Sequence, residues 1–214
     1  VHGVENLTQA FANSCNSFFS TIGFELKLDK FKQLCESFGF NKNLGTGLDA
    51  AVSSFTLDSS SSISEIQETC IGQGKTMVSP IHNLMIISAI ANKGIMMNPH
   101  VVMQVQSSDG NVLKVNNPVA KASVCTEEEA AYIASLCRSV VTDGTAPALK
   151  WTSYEAAGKT GTAQYDNSGL AHSWFTGFAP YDNPEISICV ILEGGYMGSS
   201  STYVAKAVFD AYFN

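Results

Sequence analysis

The chain has 214 residues, 45% of them hydrophobic and only 14% charged, which is enough apolar material to close one buried core. Its formal charge of -7 and its lone arginine, Arg138, offer no basic field to gather phosphates, so composition argues against nucleic acid as a partner. No apolar run approaches the roughly 20 residues that span a bilayer, and any membrane anchor or leader is expected outside these residues.

Helical spacing of apolar residues comes first, over residues 7–22, where Ser14-Cys15-Asn16 interrupts the pattern as an inter-helix turn would. A second helix is expected over 31–38. The polar stretch 53–64, with Ser59 to Ser62 at its centre, reads as an exposed loop. Helices follow over 81–91 and 127–141, the latter opened by a capping box in which Thr126 precedes Glu129 by three residues. Between them, 101–106 and 112–115 flank the turn Ser107-Ser108-Asp109-Gly110 and predict a hairpin.

Three strands are expected over 154–164, 172–178 and 186–192, joined by Asp166-Asn167-Ser168-Gly169 and Pro180-Tyr181-Asp182-Asn183-Pro184 as an antiparallel meander requires. A closing amphipathic helix over 203–213 would cover one face. Helices, then strands, then a helix predict an α+β fold: an antiparallel sheet flanked by helices, with a helical lobe, as one domain over 1–214.

The six cysteines have no C-x-x-C spacing and are read as buried free thiols. His2, His82, His100 and His172 sit in unrelated contexts without ligand spacing, so neither a metal nor a cofactor is expected. The strongest local signal is Lys159-Thr160-Gly161 inside a strand. Alternation puts Thr160 and Thr162 on one face, two hydroxyls that can hold a carboxylate beside the positive charge of Lys159, while Gly161 leaves room for a substrate against the strand. Trp174 reads as a wall of that groove.

Ser14-Cys15-Asn16 and Lys159-Thr160-Gly161 stand in the order of two of the three motifs, S-x-x-K, S-x-N and K-T-G, of the serine acyltransferases that react with penicillin. Phe38-Gly39-Phe40, Ile71-Gly72-Gln73-Gly74, Ser79-Pro80, Ala91-Asn92-Lys93-Gly94, Asp143-Gly144-Thr145-Ala146 and Trp174-Phe175-Thr176-Gly177-Phe178-Ala179-Pro180 add to the likeness. From about Leu7 to the C-terminus the sequence resembles the transpeptidase domain of penicillin-binding proteins, of the class B type without a glycosyltransferase domain.

None of the eleven lysines has a serine three positions before it, so S-x-x-K is absent from these residues. The resemblance then implies that the chain is the C-terminal part of a transpeptidase domain, with the nucleophile on an N-terminal segment of the same protein that acts as its partner. It implies that Ser14 relays a proton, that Asn16 holds a substrate amide, and that Lys159 is coupled to Ser14. It further implies that Thr160 and Thr162 hold the carboxylate of a peptidoglycan D-Ala-D-Ala stem or of a β-lactam, and that Thr162 N–H is half of an oxyanion hole. The site would face the outside of the bacterial membrane. A class D-type β-lactamase or β-lactam sensor, and a scaffold domain without catalysis, are the alternatives.

Overall fold

The computed structural model describes residues 2–47, 49–164, 170–194 and 199–214. The expected first helix is two, α1 (Leu7–Ala12) and α2 (Asn16–Glu25), because the chain turns back at Ser14, whose φ of 53° lies in the left-handed region. The second expected helix is α3 (Leu28–Ser37).

The stretch 53–64 is largely exposed over Asp58 to Ser62, as expected, but its first part is not. Ser53, Phe55 and Leu57 are buried at alternate positions. Asn41 acts there as a stand-in for a strand partner: its Nδ2 donates to Phe55 O and its Oδ1 accepts from Phe55 N, both at 3.0 Å. Helix α4 (Ile63–Cys70) follows, opened by a capping box between Ser62 and Glu65. That S-x-x-E signal is present in the sequence, but serine-rich composition hid it.

Helix α5 (Pro80–Ala91) leads into β1 (Ile95–Met97), which pairs antiparallel with β4 (Ala120–Ser123). Between these two short strands lies the expected hairpin, β2 (Gln104–Gln106) and β3 (Val112–Val115), exposed along its length. Helix α6 (Glu127–Thr142) has the capping box read from Thr126 and Glu129.

The main sheet is an antiparallel meander in the order β5 (Ala157–Gln164), β6 (Ala171–Ala179), β7 (Ile186–Leu192), with β5 on an edge. The turn expected at Asp166-Asn167-Ser168-Gly169 lies outside the described residues. Helix α7 (Ser200–Phe213) packs on β6 and β7, while α5 and α6 pack against the sheet as well. Period-two alternation along β6 explains the two sides. Phe175 and Val190 point toward Ala205 and Phe209 of α7, whereas Phe178 and Ala157 meet Ile87 of α5 and Cys137 of α6. Fully burying an aromatic ring on each face contributes about 2–3 kcal/mol apiece.

Gly158 and Gly177 face each other across β5 and β6, and a Cβ on either would come within 2.7 Å of the Phe175 ring. The glycine before Lys159 is thus a seat for the core phenylalanine. The fold is α+β, as expected from the order of elements. All six cysteines are free thiols, but only Cys137 is buried. The other five are half-buried: Cys35, Cys70 and Cys189 lie on α3, α4 and β7, and Cys15 and Cys125 in the turns before α2 and α6.

Candidate active site

Every site residue read from the sequence lines one open groove of about 1130 Å³: Ser14, Asn16, Lys159, Thr160, Gly161, Thr162 and Trp174. The groove lies between edge strand β5 and the helical lobe, with the loop after α4 as its opposite wall. Among the described residues its lining holds no Asp or Glu, and Lys159 is its only lysine or arginine. A chain of net charge -7 therefore presents a locally positive site.

Ser14 is brought there by a tight return of the chain. Ser14 N donates to Phe11 O at 3.2 Å and Cys15 N donates to Ala10 O at 2.8 Å, so α1 ends and α2 starts within three residues. Asn16 is the first residue of α2. Behind the turn, Thr145 N donates to Ala12 O at 3.3 Å. Gly144 is needed because a Cβ would stand 2.2 Å from that same carbonyl oxygen.

Lys159 crosses from β5 to this turn. Its Nζ donates to Ser14 Oγ and to Thr160 O, both at 2.9 Å, and sits 5.7 Å over the ring of Phe11. Burial lowers its pKa from 10.5 to about 8, partly offset by the nearby Cys137 thiol, which raises it. The Cys137 thiol is itself pushed up to about 12 by burial. The cost of holding an ammonium here without a carboxylate partner is what makes the site receptive to an anion.

The carbonyl of Thr160 accepts from Lys159 and that of Thr162 accepts from Gln73 Nε2 at 3.1 Å, so both point away from β6. In an antiparallel strand the N–H of a residue points to the same side as its C=O, and Thr162 N–H therefore faces the groove. The two threonine side chains differ, although alternation puts them on one face. Thr160 is buried with its hydroxyl bonded to the Thr145 hydroxyl, whereas Thr162 is exposed. Gly161 leaves room chiefly for Trp174, its cross-strand partner, whose Cβ would lie 3.3 Å from an added Cβ.

Sequence reasoning missed Phe11, Gln73 and Thr145. Gln73 and Thr145 lie in segments that carried the family likeness, Ile71 to Gly74 and Asp143 to Ala146, but no residue-type rule marks either as a groove residue. Asn83 and Thr176 were missed too. Asn83 Nδ2 donates to Thr176 Oγ1 at 2.9 Å and fastens α5 to β6 beneath the groove.

The penicillin binding protein transpeptidase domain model matches residues 1–214. Curated relatives include the peptidoglycan D,D-transpeptidase MrdA of Acinetobacter baumannii, 30% identical over 98% of this chain and 34% of that protein. Stage V sporulation protein D of Bacillus subtilis is 30% identical over 90% of this chain and 31% of its own length. The chain thus spans about a third of the length of these relatives. Among solved structures, the imipenem acyl-enzyme complex of penicillin-binding protein A from M. tuberculosis matches with a TM-score of 0.90 and 25% identity, over 98% of this chain and 47% of that one. The D,D-transpeptidase domain from Eggerthella lenta matches with a TM-score of 0.87 and 27% identity, over 98% of this chain and 54% of that one. With its groove, its S-x-N turn and its K-T-G strand in one site, the chain belongs to the penicillin-binding protein transpeptidase domain family, class B in type.

Proposed function

We propose that these residues form the substrate-holding and proton-relaying part of a peptidoglycan D,D-transpeptidase, with the acylated serine and its lysine supplied by an S-x-x-K segment of the same protein. The observation that carries this reading is the 2.9 Å bond from Lys159 Nζ to Ser14 Oγ in a groove without carboxylates. A serine whose hydroxyl is held by an ammonium has its lone pair committed to that cation and its own proton free to travel. This suits a relay better than a nucleophile.

In the proposed reaction the serine oxygen attacks the penultimate D-Ala carbonyl of one stem peptide. The bond to the terminal D-Ala nitrogen breaks, and that nitrogen takes a proton through Ser14. An amine of a second stem then attacks the acyl-enzyme, forming the cross-link and returning the serine. Lys159, Thr160 and Thr162 hold the terminal carboxylate, the Thr160 hydroxyl acting in concert with Thr145. Asn16 holds a backbone amide, and Thr162 N–H meets the oxyanion, a donor typically worth about 3 kcal/mol. Trp174 walls the groove. A β-lactam enters as a mimic of the stem, in keeping with the penicillin G and imipenem acyl-enzyme complexes of the M. tuberculosis relative.

The transpeptidase reading is preferred to a β-lactamase because matched relatives such as the MrdA proteins of Acinetobacter baumannii and Haemophilus influenzae are D,D-transpeptidases by name. We place the site on the outer face of the bacterial membrane, with the anchor elsewhere in the protein. Among the described residues no helix is long and apolar enough to cross a membrane. The test is intact-protein mass spectrometry with a labelled penicillin. The 214 residues alone are expected to gain no adduct, and a protein carrying S-x-x-K upstream is expected to gain one at that serine. Stoichiometric labelling of the 214 residues alone would overturn the reading.

A further inference from the structure

The loop that follows α6 brings a hydroxyl into the groove from outside both the S-x-N turn and the K-T-G strand. Thr145 N donates to Ala12 O at 3.3 Å, in the helix that leads into the Ser14 turn. The next residue, fully buried Ala146, donates from its N to Val140 O at 3.0 Å. A backbone held at two successive residues and a β-branched side chain leave Thr145 little freedom. Its hydroxyl is bonded to that of Thr160, and both residues line the groove. Thr145 is therefore joined by its backbone to the turn of Ser14 and by its side chain to the strand of Lys159.

Two hydroxyls that share one hydrogen bond keep one proton between them and leave the other free. If Thr160 donates to Thr145, Thr160 offers the groove only lone pairs, which repel a carboxylate. If Thr145 donates to Thr160, the Thr160 proton is released to an acceptor in the groove. An anion selects the second arrangement, and the exchange turns two O–H bonds without moving a heavy atom. Thr160 is only 8% exposed, so water does little to solvate its hydroxyl and the partner it has in Thr145 counts for more. A hydroxyl that accepts one hydrogen bond also donates the next more strongly. The Lys159 ammonium, which donates to Thr160 O at 2.9 Å, attracts an anion as a point charge, whereas hydroxyls fix its orientation.

We propose that Thr145 is a positioning residue of the carboxylate subsite: it donates to Thr160 Oγ1 and so directs the Thr160 proton at the bound carboxylate. Thr145 does not touch the ligand in this role. It acts through Thr160, and its backbone bond to Ala12 fixes that hydroxyl relative to the relay turn. The inference rests on the transpeptidase reading and adds to it the direction of the hydrogen bonds that recognise a free C-terminal carboxylate.

The test compares Thr145→Val, Thr145→Ala and Thr145→Ser in the protein that carries S-x-x-K, with penicillin G and its methyl ester as probes. Valine keeps the shape of the side chain and removes the hydroxyl, alanine removes both, and serine keeps the hydroxyl. Both hydroxyl-free variants are expected to lower the second-order acylation rate by the free acid about tenfold, through weaker binding before acylation rather than a slower acylation step. The rate with the ester, which lacks the anion, should change less than about twofold, and Thr145→Ser should restore most of the loss with the acid. Thermal melting verifies folding, and either hydroxyl-free variant suffices if the other does not fold. An acid rate that is unchanged or raised in the hydroxyl-free variants overturns the inference, since Thr145 would then be idle or a competitor for the Thr160 proton. Equal losses with acid and ester, or a serine variant as slow as valine, overturn it as well and make Thr145 a support of the groove. A parent protein that is not acylated at all fails the transpeptidase reading and this one with it, so the parent tells the two failures apart.

Discussion

Lys159 Nζ and Ser14 Oγ are 2.9 Å apart although 145 residues separate them in the chain. The bond joins the edge strand of the sheet to the turn between α1 and α2, and burial lowers the lysine pKa from 10.5 to about 8. In the unfolded chain Lys159 keeps its proton to about pH 10.4. Between about pH 8 and pH 10.4 the unfolded state thus holds more protons, and stability contributed at this position rises with pH. Below pH 8 the full cost is present, on the order of 3 kcal/mol. Lys159→Met is therefore expected to melt at or above the parent at neutral pH, with the difference fading toward pH 10. In a protein carrying S-x-x-K the same variant should lose about 100-fold or more in acylation rate. Parallel loss of melting temperature and acylation would make Lys159 structural instead.

Ser14 is held at a φ of 53°, which costs a non-glycine residue about 1 kcal/mol. Ser14→Gly should relieve that strain and roughly offset the greater entropy of an unfolded glycine, leaving the melting temperature within about 2 °C of the parent. Both variants lose the bond to Lys159, but Ser14→Ala also keeps the strain, so it should melt lower than Ser14→Gly. Both variants should lose transpeptidation to a similar degree, since both lack Oγ. Activity retained by either one, measured on a stem peptide in the S-x-x-K-bearing protein, would remove Ser14 from the relay.

The meander, α6 with its capping box and the exposed hairpin were all legible, because each depends on local periodicity and turn chemistry that tertiary contacts did not override. Lys159 and Thr160 to Thr162 were legible as a strand motif, and Ser14 as a turn. What was not legible was that α4 follows a buried extended segment. Ser53 is inside only because its hydroxyl accepts from Ser79 N at 3.0 Å, a long-range fact that composition cannot carry. The same holds for Gln73 and Thr145, whose partners lie across the groove.

Gly144 closes the turn after α6 directly beneath the end of α1. An added Cβ would meet Ala12 O at 2.2 Å, and both atoms' neighbours are backbone, so a helix end must move. Gly144→Ala is expected to cost about 1–3 kcal/mol or more, read by chemical denaturation. It should also displace the Ser14 turn, so acylation should fall further than in a Met96→Ala control of matched stability, whose side chain lies in a separate core cluster. Equal losses in the two would separate Gly144 from the site.

His82 is fully buried on α5, where its Nε2–H donates to Phe38 O at 2.9 Å and its Nδ1 has no hydrogen-bond partner among the described residues. Burial holds its pKa below 6.5, against the opposing pull of that carbonyl. The unfolded chain takes up the proton near pH 6.5 while the folded chain resists. The stability tied to neutral His82 is thus present above about pH 6.5 and is lost as pH falls below it. His82→Gln, which keeps a donor for Phe38 O, should flatten the fall in melting temperature between about pH 7 and pH 5.5. An unchanged slope would mean that other groups set the acid sensitivity.

Gln73 donates to Thr162 O from across the groove, and its position is set firmly. Its N–H donates to Glu68 O at 2.8 Å at the end of α4, and it is flanked by Gly72 and Gly74, both at positive φ. Such a turn aims the amide at β5 with little freedom to look elsewhere. An extended acyl-peptide pairing with the open edge of β5 would need that same carbonyl as its acceptor. Substrate and side chain therefore compete, and binding must first break a hydrogen bond worth about 1 kcal/mol net. Gln73→Leu, which keeps the bulk and removes the donor, is expected to raise the second-order rate of acylation by amide-bearing β-lactams about threefold to fivefold, the fold-change that matches 1 kcal/mol. β-Lactams without a side-chain amide should show no change. A lower rate for both classes would mean that Gln73 supports the strand, and the competition would be refuted.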